Sequence, residues 1–157
     1  MKKPEGIVLH CTATPEGRPV TVKSIRSWHK ARGFSDVGYH FVIGLKGELW
    51  AGRSLEFQGA HTKGHNNSVG VSYVGGMTSD GRKPKDTLNE AQEATFLRLV
   101  ETLRAKYGDL DLQGHNEFSS KACPSFDVVE KWGKEFCLGP DDTEGPDLPL
   151  DEIIDEQ

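Results

Sequence analysis

The sequence predicts an α/β fold, a central mixed β-sheet flanked by helices, on three observations. Short apolar runs of strand length interleave with segments of helical periodicity along the whole chain. Eighteen Gly and eight Pro among 157 residues punctuate it too often for a helical bundle. No internal repeat is visible, and no apolar run approaches the ~20 residues of a membrane span. The length suits a single domain of roughly 100–200 residues, whose core needs no disulfide staples.

The elements follow in order. Gly6-Ile7-Val8-Leu9-His10 is a short apolar run that reads as a buried strand, and Thr12 to Gly17 breaks it into a loop. Thr21 is placed to cap a helix that runs to about Arg32, with Val22, Ile25, Trp28 and His29 at helical spacing and Gly33 as its stop. Gly38 to Ile43 reads as a second strand, which turns at Lys46-Gly47 and returns through Glu48-Leu49-Trp50-Ala51 as a hairpin. Gly59 to Asn67 is rich in His, Gly and Asn and reads as an exposed loop; Ser68 to Val74 alternates and reads as a strand. Thr87-Leu88-Asn89-Glu90 has the pattern of a capping box, opening a helix to Tyr107 with Phe96, Val100, Leu103 and Tyr107 on one face. Leu110 to His115 is a short strand leading into a loop from Asn116 to Pro124. Ser125 then caps a last helix, with Phe126, Val129, Trp132 and Phe136 inward.

Charge divides the chain into a body, residues 1–139, and an acidic tail, residues 140–157. The tail holds eight Asp and Glu and no base, and reads as extended and solvated. Without those eight, 19 Lys and Arg face 16 Asp and Glu, so the body carries +3. That suits an anionic polymer as partner but is too weak to argue for nucleic acid. Leu148, Leu150, Ile153 and Ile154 interrupt the tail and give it a means of docking, on the body or on a partner the sequence does not identify. The two Lys near the N-terminus are followed by only Ile7-Val8-Leu9, too short for the apolar region of a signal peptide, so export by such a signal is not expected. Cys11, Cys123 and Cys137 are odd in number and scattered, which favours reduced thiols over a disulfide framework.

Two histidines close predicted strands, His10 and His115, and Cys123 follows in the loop Lys121-Ala122-Cys123-Pro124. Two imidazoles and a thiolate are three zinc-competent ligands that leave a fourth tetrahedral position for water, as a catalytic zinc requires. Cys11 adjoins His10, but along a strand its side chain faces the opposite way. Spacing alone leaves a second reading open, in which the three are satisfied packing groups; neither an H-E-x-x-H helix nor a C-x-x-C pair is present.

Four blocks carry a resemblance: Ile7 to Thr14 (IVLHCTAT), Trp28-His29-Lys30, Asp36 to Phe41 (DVGYHF), and His115-Asn116-Glu117 through Lys121 to Asp127 (KACPSFD). Together, in order and over about residues 6 to 133, they resemble the zinc N-acetylmuramoyl-L-alanine amidases. Amidase-type bacteriophage lysozymes are the nearer kin and the peptidoglycan recognition proteins the more distant. The resemblance implies a single amidase-like catalytic domain over residues 1–139. It also implies one zinc per chain on His10, His115 and Cys123, with Tyr39 and Lys121 acting on the reacting amide. It implies that the loop from Gly59 to Ser68 faces substrate, with His61 lining the cleft and Asn67 bonding to glycan or stem peptide. His29 and His40 are read as structural.

The function so implied is hydrolysis of the bond between N-acetylmuramic acid and L-alanine in peptidoglycan by a phage or prophage endolysin. Such an enzyme acts as a monomer with peptidoglycan as its partner, binds neither nucleic acid nor membrane, and stays in the host cytoplasm until released to the wall. The alternative is a peptidoglycan-binding module or regulatory protein of the same fold that does not cut. The presence of Cys123 with Tyr39 and Lys121 separates the two, since non-catalytic relatives typically lack the cysteine.

Overall fold

The structure is a computed structural model that describes residues 1 and 3–138; the acidic tail at 140–157 lies outside the described residues. The chain runs β1 (Gly6–Cys11), β2 (Thr14–Pro15), α1 (Val22–Ala31), β3 (Phe41–Ile43), β4 (Leu49–Ala51), β5 (Val69–Tyr73), β6 (Gly76–Met77), α2 (Glu90–Tyr107), β7 (Asp111–Gly114), a 3-10 turn (His115–Glu117), α3 (Val128–Trp132) and α4 (Lys134–Leu138). Five strands form one sheet in the order β4-β3-β5-β1-β7. β3 and β4 are an antiparallel hairpin and every other pairing is parallel, so the sheet is mixed as expected. The pairing of β2 with β6 adds a two-residue parallel ladder where the sequence reads as loop.

β1 is buried along its whole length because it lies inside the sheet with helices over both faces. On one face Ile7, Leu9 and Cys11 join Phe41, Ile43, Val71 and Tyr73 beneath Phe96, Leu99, Val100 and Leu103 of α2. On the other, Val42 and Val74 meet Val20, Val37 and Ile25 of α1. The period-2 alternation of β1 therefore sends Cys11 into the larger core. α1 is capped by Thr21, whose hydroxyl accepts from the Ser24 N–H. Ile25 and His29 are buried, but Trp28 is 46% exposed, against the sequence reading of one inward face.

Two helix starts differ from expectation. The capping box of α2 is Asn89 with Gln92, not Thr87 with Glu90: Asn89 Oδ1 accepts from the Gln92 N–H at 2.8 Å, and Gln92 Oε1 accepts from the Asn89 N–H at 3.1 Å. Thr87 is taken by the sheet instead, its hydroxyl accepting from the Gly76 N–H at 2.7 Å. At the C-terminal end, Asp127 rather than Ser125 caps α3. Ser125 closes a turn at φ 76° and donates its hydroxyl to the Gly76 carbonyl. The single last helix expected there is two, because Gly133 takes φ 91° between α3 and α4, a left-handed conformation that glycine adopts without strain.

Gln92 ties α2 to the sheet. Fully buried, it caps its own helix and donates Nε2–H to the Val74 carbonyl at 2.9 Å, just beyond the end of β5. Replacing Gln92 by Ala strands the buried Val74 carbonyl and removes half of the capping box, whose Asn89 is exposed and can turn to water. At about 1–3 kcal/mol for one buried group left unpaired, Gln92→Ala should lower unfolding free energy by roughly that amount in urea titrations. A loss well under ~1 kcal/mol would mean that the Val74 carbonyl finds water instead.

Candidate functional site

The site is built at the carboxyl ends of the parallel strands, where open α/β sheets present their ligands. β1 and β7 pair with Leu9 opposite Gly114, so the next residues, His10 and His115, leave adjacent strand ends together. Their ring centroids lie 4.6 Å apart. The chain after His115 folds back on itself: Glu117 accepts from the Gly114 N–H at 2.6 Å, and Asn116 donates Nδ2–H to the Phe126 carbonyl at 3.0 Å. That closure returns Cys123 to β1, where its Sγ accepts from the Cys11 N–H at 3.2 Å and sits 3.7 Å from His10 Nδ1. One donor atom each from His10, His115 and Cys123 falls within 4.8 Å of the others.

The donor chemistry fits a metal ion. In a tetrahedral zinc set with Zn–N about 2.0–2.1 Å and Zn–S about 2.3 Å, a nitrogen and a sulfur ligand are separated by about 3.6 Å. The His10 Nδ1 to Cys123 Sγ distance of 3.7 Å matches that edge. His10 is 1% exposed, and burial, then His61, His115 and Lys121, hold its pKa well below the ordinary value, so it stays a neutral, ligand-competent imidazole. Burial, then Lys121, shifts His115 the same way. The neighbouring thiols are coupled: the hydrogen bond with Cys123 lowers Cys11 to about 7, while the bond with Cys11, then burial, pushes Cys123 upward. A metal bound to Cys123 therefore has to displace that thiol's proton.

Around this trio lies a cavity of about 270 Å³, lined among others by Trp28, Arg32, Tyr39, His61 and Lys121. Tyr39 has its ring 5.0 Å from that of His10, and burial, then the cysteines, push its hydroxyl upward, so it stays protonated at neutral pH. Lys121 is exposed at the mouth, two residues before Cys123. A larger cavity of about 480 Å³ opens between Arg26, Asp36, Arg53 and Phe57, away from any of these groups. Its cations are spent: Arg26 is paired with Asp36 at 2.7 Å, and Arg53 donates to the carbonyls of Val37 and Gln58.

His61 lines the smaller cavity, but both its ring nitrogens are engaged with protein, Nδ1 at 2.9 Å from His10 Nε2 and Nε2 at 3.0 Å from the Ser68 carbonyl. Asn67 is not among the cavity's lining residues; its carbonyl accepts from the Glu5 N–H at 2.9 Å. The asparagine that organises this loop is Asn66, whose Oδ1 accepts from the N–H groups of His61 and Thr62. Sequence reading gives no site role to Thr62, Trp28 or Arg32, although Trp28 falls in a block that carries the resemblance. Trp28 and the C-cap Arg32 stand one helical turn apart at the end of α1. Asn66 and Thr62 have no signal beyond a polar loop composition. His29 and His40 have the structural roles expected: His29 Nδ1 accepts from the Gly38 N–H, while His40 Nδ1 accepts from the Gly70 N–H and its Nε2–H donates to the Phe57 carbonyl.

Comparison with known proteins places this geometry in context. Residues 1–126 match the family described as N-acetylmuramoyl-L-alanine amidase. The chain is 44% identical over 131 residues to the endolysin of Escherichia phage T7, covering 83% of this chain and 86% of the endolysin. Among solved structures it resembles the N-acetylmuramoyl-L-alanine amidase LysC from Clostridium intestinale URNW, with a TM-score of 0.65 at 26% identity, over 98% of this chain and 85% of that one. Drosophila PGRP-LB shares the fold, with a TM-score of 0.71 at 23% identity over 90% and 86% of the two chains.

Burial lowers the His40 pKa to about 4, against about 6.5 in an unfolded chain. Protonating it in the folded state would cost the bond from the Gly70 N–H. The unfolded state therefore binds the extra proton first, so stability is full above about pH 6.5 and falls as pH drops toward 4. Thermal unfolding across that window should show a shallower decline for His40→Gln than for the wild type. Equal slopes would mean that His40 is not held neutral.

Proposed function

The chain belongs to the N-acetylmuramoyl-L-alanine amidase family, and on that premise we propose that it is a phage endolysin whose zinc is held by His10, His115 and Cys123. Its activity is hydrolysis of the amide between N-acetylmuramic acid and L-alanine in peptidoglycan. One observation carries the ligand assignment: three zinc-competent donors from three separate parts of the chain converge at the strand ends, inside a cavity. A zinc ion there supplies a Lewis acid for the amide carbonyl and lowers the pKa of water toward ~7.

The chain's own groups divide the remaining work. Neutral His10 and His115 keep the donor set intact at neutral pH. Tyr39, half-buried and protonated, offers an O–H that donates to oxygen as the amide carbon becomes tetrahedral. Lys121 places a positive charge at the mouth, where the developing oxyanion needs it; one such contact is typically worth about 10²–10³ in rate. The cavity floor is rigid because two of the three ligands leave paired strands, whereas Lys121 stands on a loop and is solvated. The body, at +3, suits an anionic wall polymer. Among the described residues no helix is long and apolar enough to cross a membrane. Action as a monomer, and release from the host cytoplasm to the wall, belong to the same proposal.

Cys123→Ser should sharply reduce bound zinc, because the serine hydroxyl stays protonated where the thiolate was a soft anionic ligand. Elemental analysis paired with product identification on purified peptidoglycan tests this, and full zinc with full activity would refute the ligand assignment. Lys121→Ala should keep its zinc while kcat falls by about 10²–10³. Tyr39→Phe should likewise keep fold and metal while turnover drops; loss of zinc in either variant would make that residue structural.

A further inference from the structure

We propose that His61 is a positioning residue for the metal site: with the Ser68 carbonyl it fixes the proton of His10 on Nε2 and so presents the Nδ1 lone pair to zinc. The inference rests on the ligand assignment above and assigns His61 a task other than contacting substrate.

The argument is one of hydrogen-bond elimination. The Ser68 carbonyl can only accept, and it lies 3.0 Å from His61 Nε2, so that nitrogen carries the proton. In a neutral ring the other nitrogen, Nδ1, is then an acceptor. It faces His10 Nε2 at 2.9 Å, and two lone pairs cannot share that distance, so His10 Nε2 is the donor. His10 Nδ1 is thereby left bare, and it is this atom that lies 3.7 Å from Cys123 Sγ. The Thr62 hydroxyl, 3.2 Å from His10 Nε2 and 2.9 Å from His61 Nδ1, closes the triangle. Orientation of a metal-ligating histidine through its second nitrogen is a general requirement of such sites.

The ring of His61 is seated for this role. A Cβ built on Gly59 would stand 2.3 Å from His61 Cδ2, and one on Gly70 would stand 2.5 Å from it. Both positions lack a side chain where the imidazole passes. Asn66 Oδ1 accepts from the N–H groups of His61 and Thr62 at 2.8 and 2.9 Å, which locks the backbone that carries both partners of His10. A residue whose purpose was to reach substrate would keep a ring nitrogen free, and His61 keeps none.

The test uses the full chain and zinc alone, with affinity read by competition against a chromophoric chelator. His61→Leu, which keeps bulk without hydrogen bonds, should weaken zinc binding by about 10–100-fold. His61→Gln should bind near wild-type affinity, because its amide accepts from His10 and donates to Ser68. Equal loss in both variants would assign the effect to packing and overturn the relay, as would wild-type affinity in His61→Leu. Cys123→Ser separates this failure from failure of the ligand assignment: if it loses zinc while His61→Leu does not, only the relay falls. Long-range ¹H–¹⁵N spectra of the zinc-loaded wild type need no variant to fold. They should show His61 protonated on Nε2 and bare on Nδ1, and the opposite tautomer would refute the proposal.

Discussion

Everything at the site depends on the parallel pairing of β1 with β7. That ladder puts Leu9 opposite Gly114, and a register set by two apolar strands thereby sets the separation of two imidazoles. A slip of one residue would turn His10 into the core and Cys11 to the cleft, because side chains alternate faces along a strand. The slip is opposed by the whole apolar pattern of β1: Ile7, Leu9 and Cys11 pack under α2. Hydrophobic burial, which has no directional content of its own, thus fixes a separation on which metal chemistry depends.

The same burial sets the electrostatics. His10 lies where a charge is poorly solvated, and its neighbours His61, His115 and Lys121 all oppose a proton on it. A metal cation faces that penalty too, and an anionic thiolate beside it is the compensation. In the proposed donor set of two neutral nitrogens and one sulfur, only Cys123 can provide it. The backbone N–H of Cys11 helps hold that sulfur in place. Tyr39, half-buried beside His10, keeps its proton for the same reason, its hydroxyl being pushed upward by desolvation.

How much of this was legible in the sequence follows from the range of the interactions. The strands were readable because apolar periodicity is local, and His10, His115, Tyr39, Cys123 and Lys121 were singled out because their blocks resemble a family. The helix caps were misread for a physical reason: Thr87 and Ser125 have the right chemistry for caps, but β6 claims both through Gly76. No local pattern announces that competition. Trp28 fits the inward spacing of α1 and yet is half exposed, since it lines the cavity. The loop from Gly59 to Asn67 was the least readable. Its composition says only that it is polar, and the bonds that give it meaning reach from His61 to His10 and from Ser68 to His61.

The arrangement separates what must be rigid from what must be exposed. His10 and His115 stand at the ends of a paired ladder, and His10 is further held by a loop whose side chains bond inward. Lys121 stands outside that frame, solvated at the mouth of the cavity. A charge there acts over a short range, since salt screens exposed charges within about 8 Å at physiological ionic strength. In its proposed role Lys121 must therefore lie next to the reacting group, and the two-residue step to Cys123 keeps it beside that proposed ligand in the same cavity. In the proposed site the sheet sets the two histidines, while Cys123 and Lys121 share one loop, so a change in that loop would move a ligand and the cation together without disturbing the strand register.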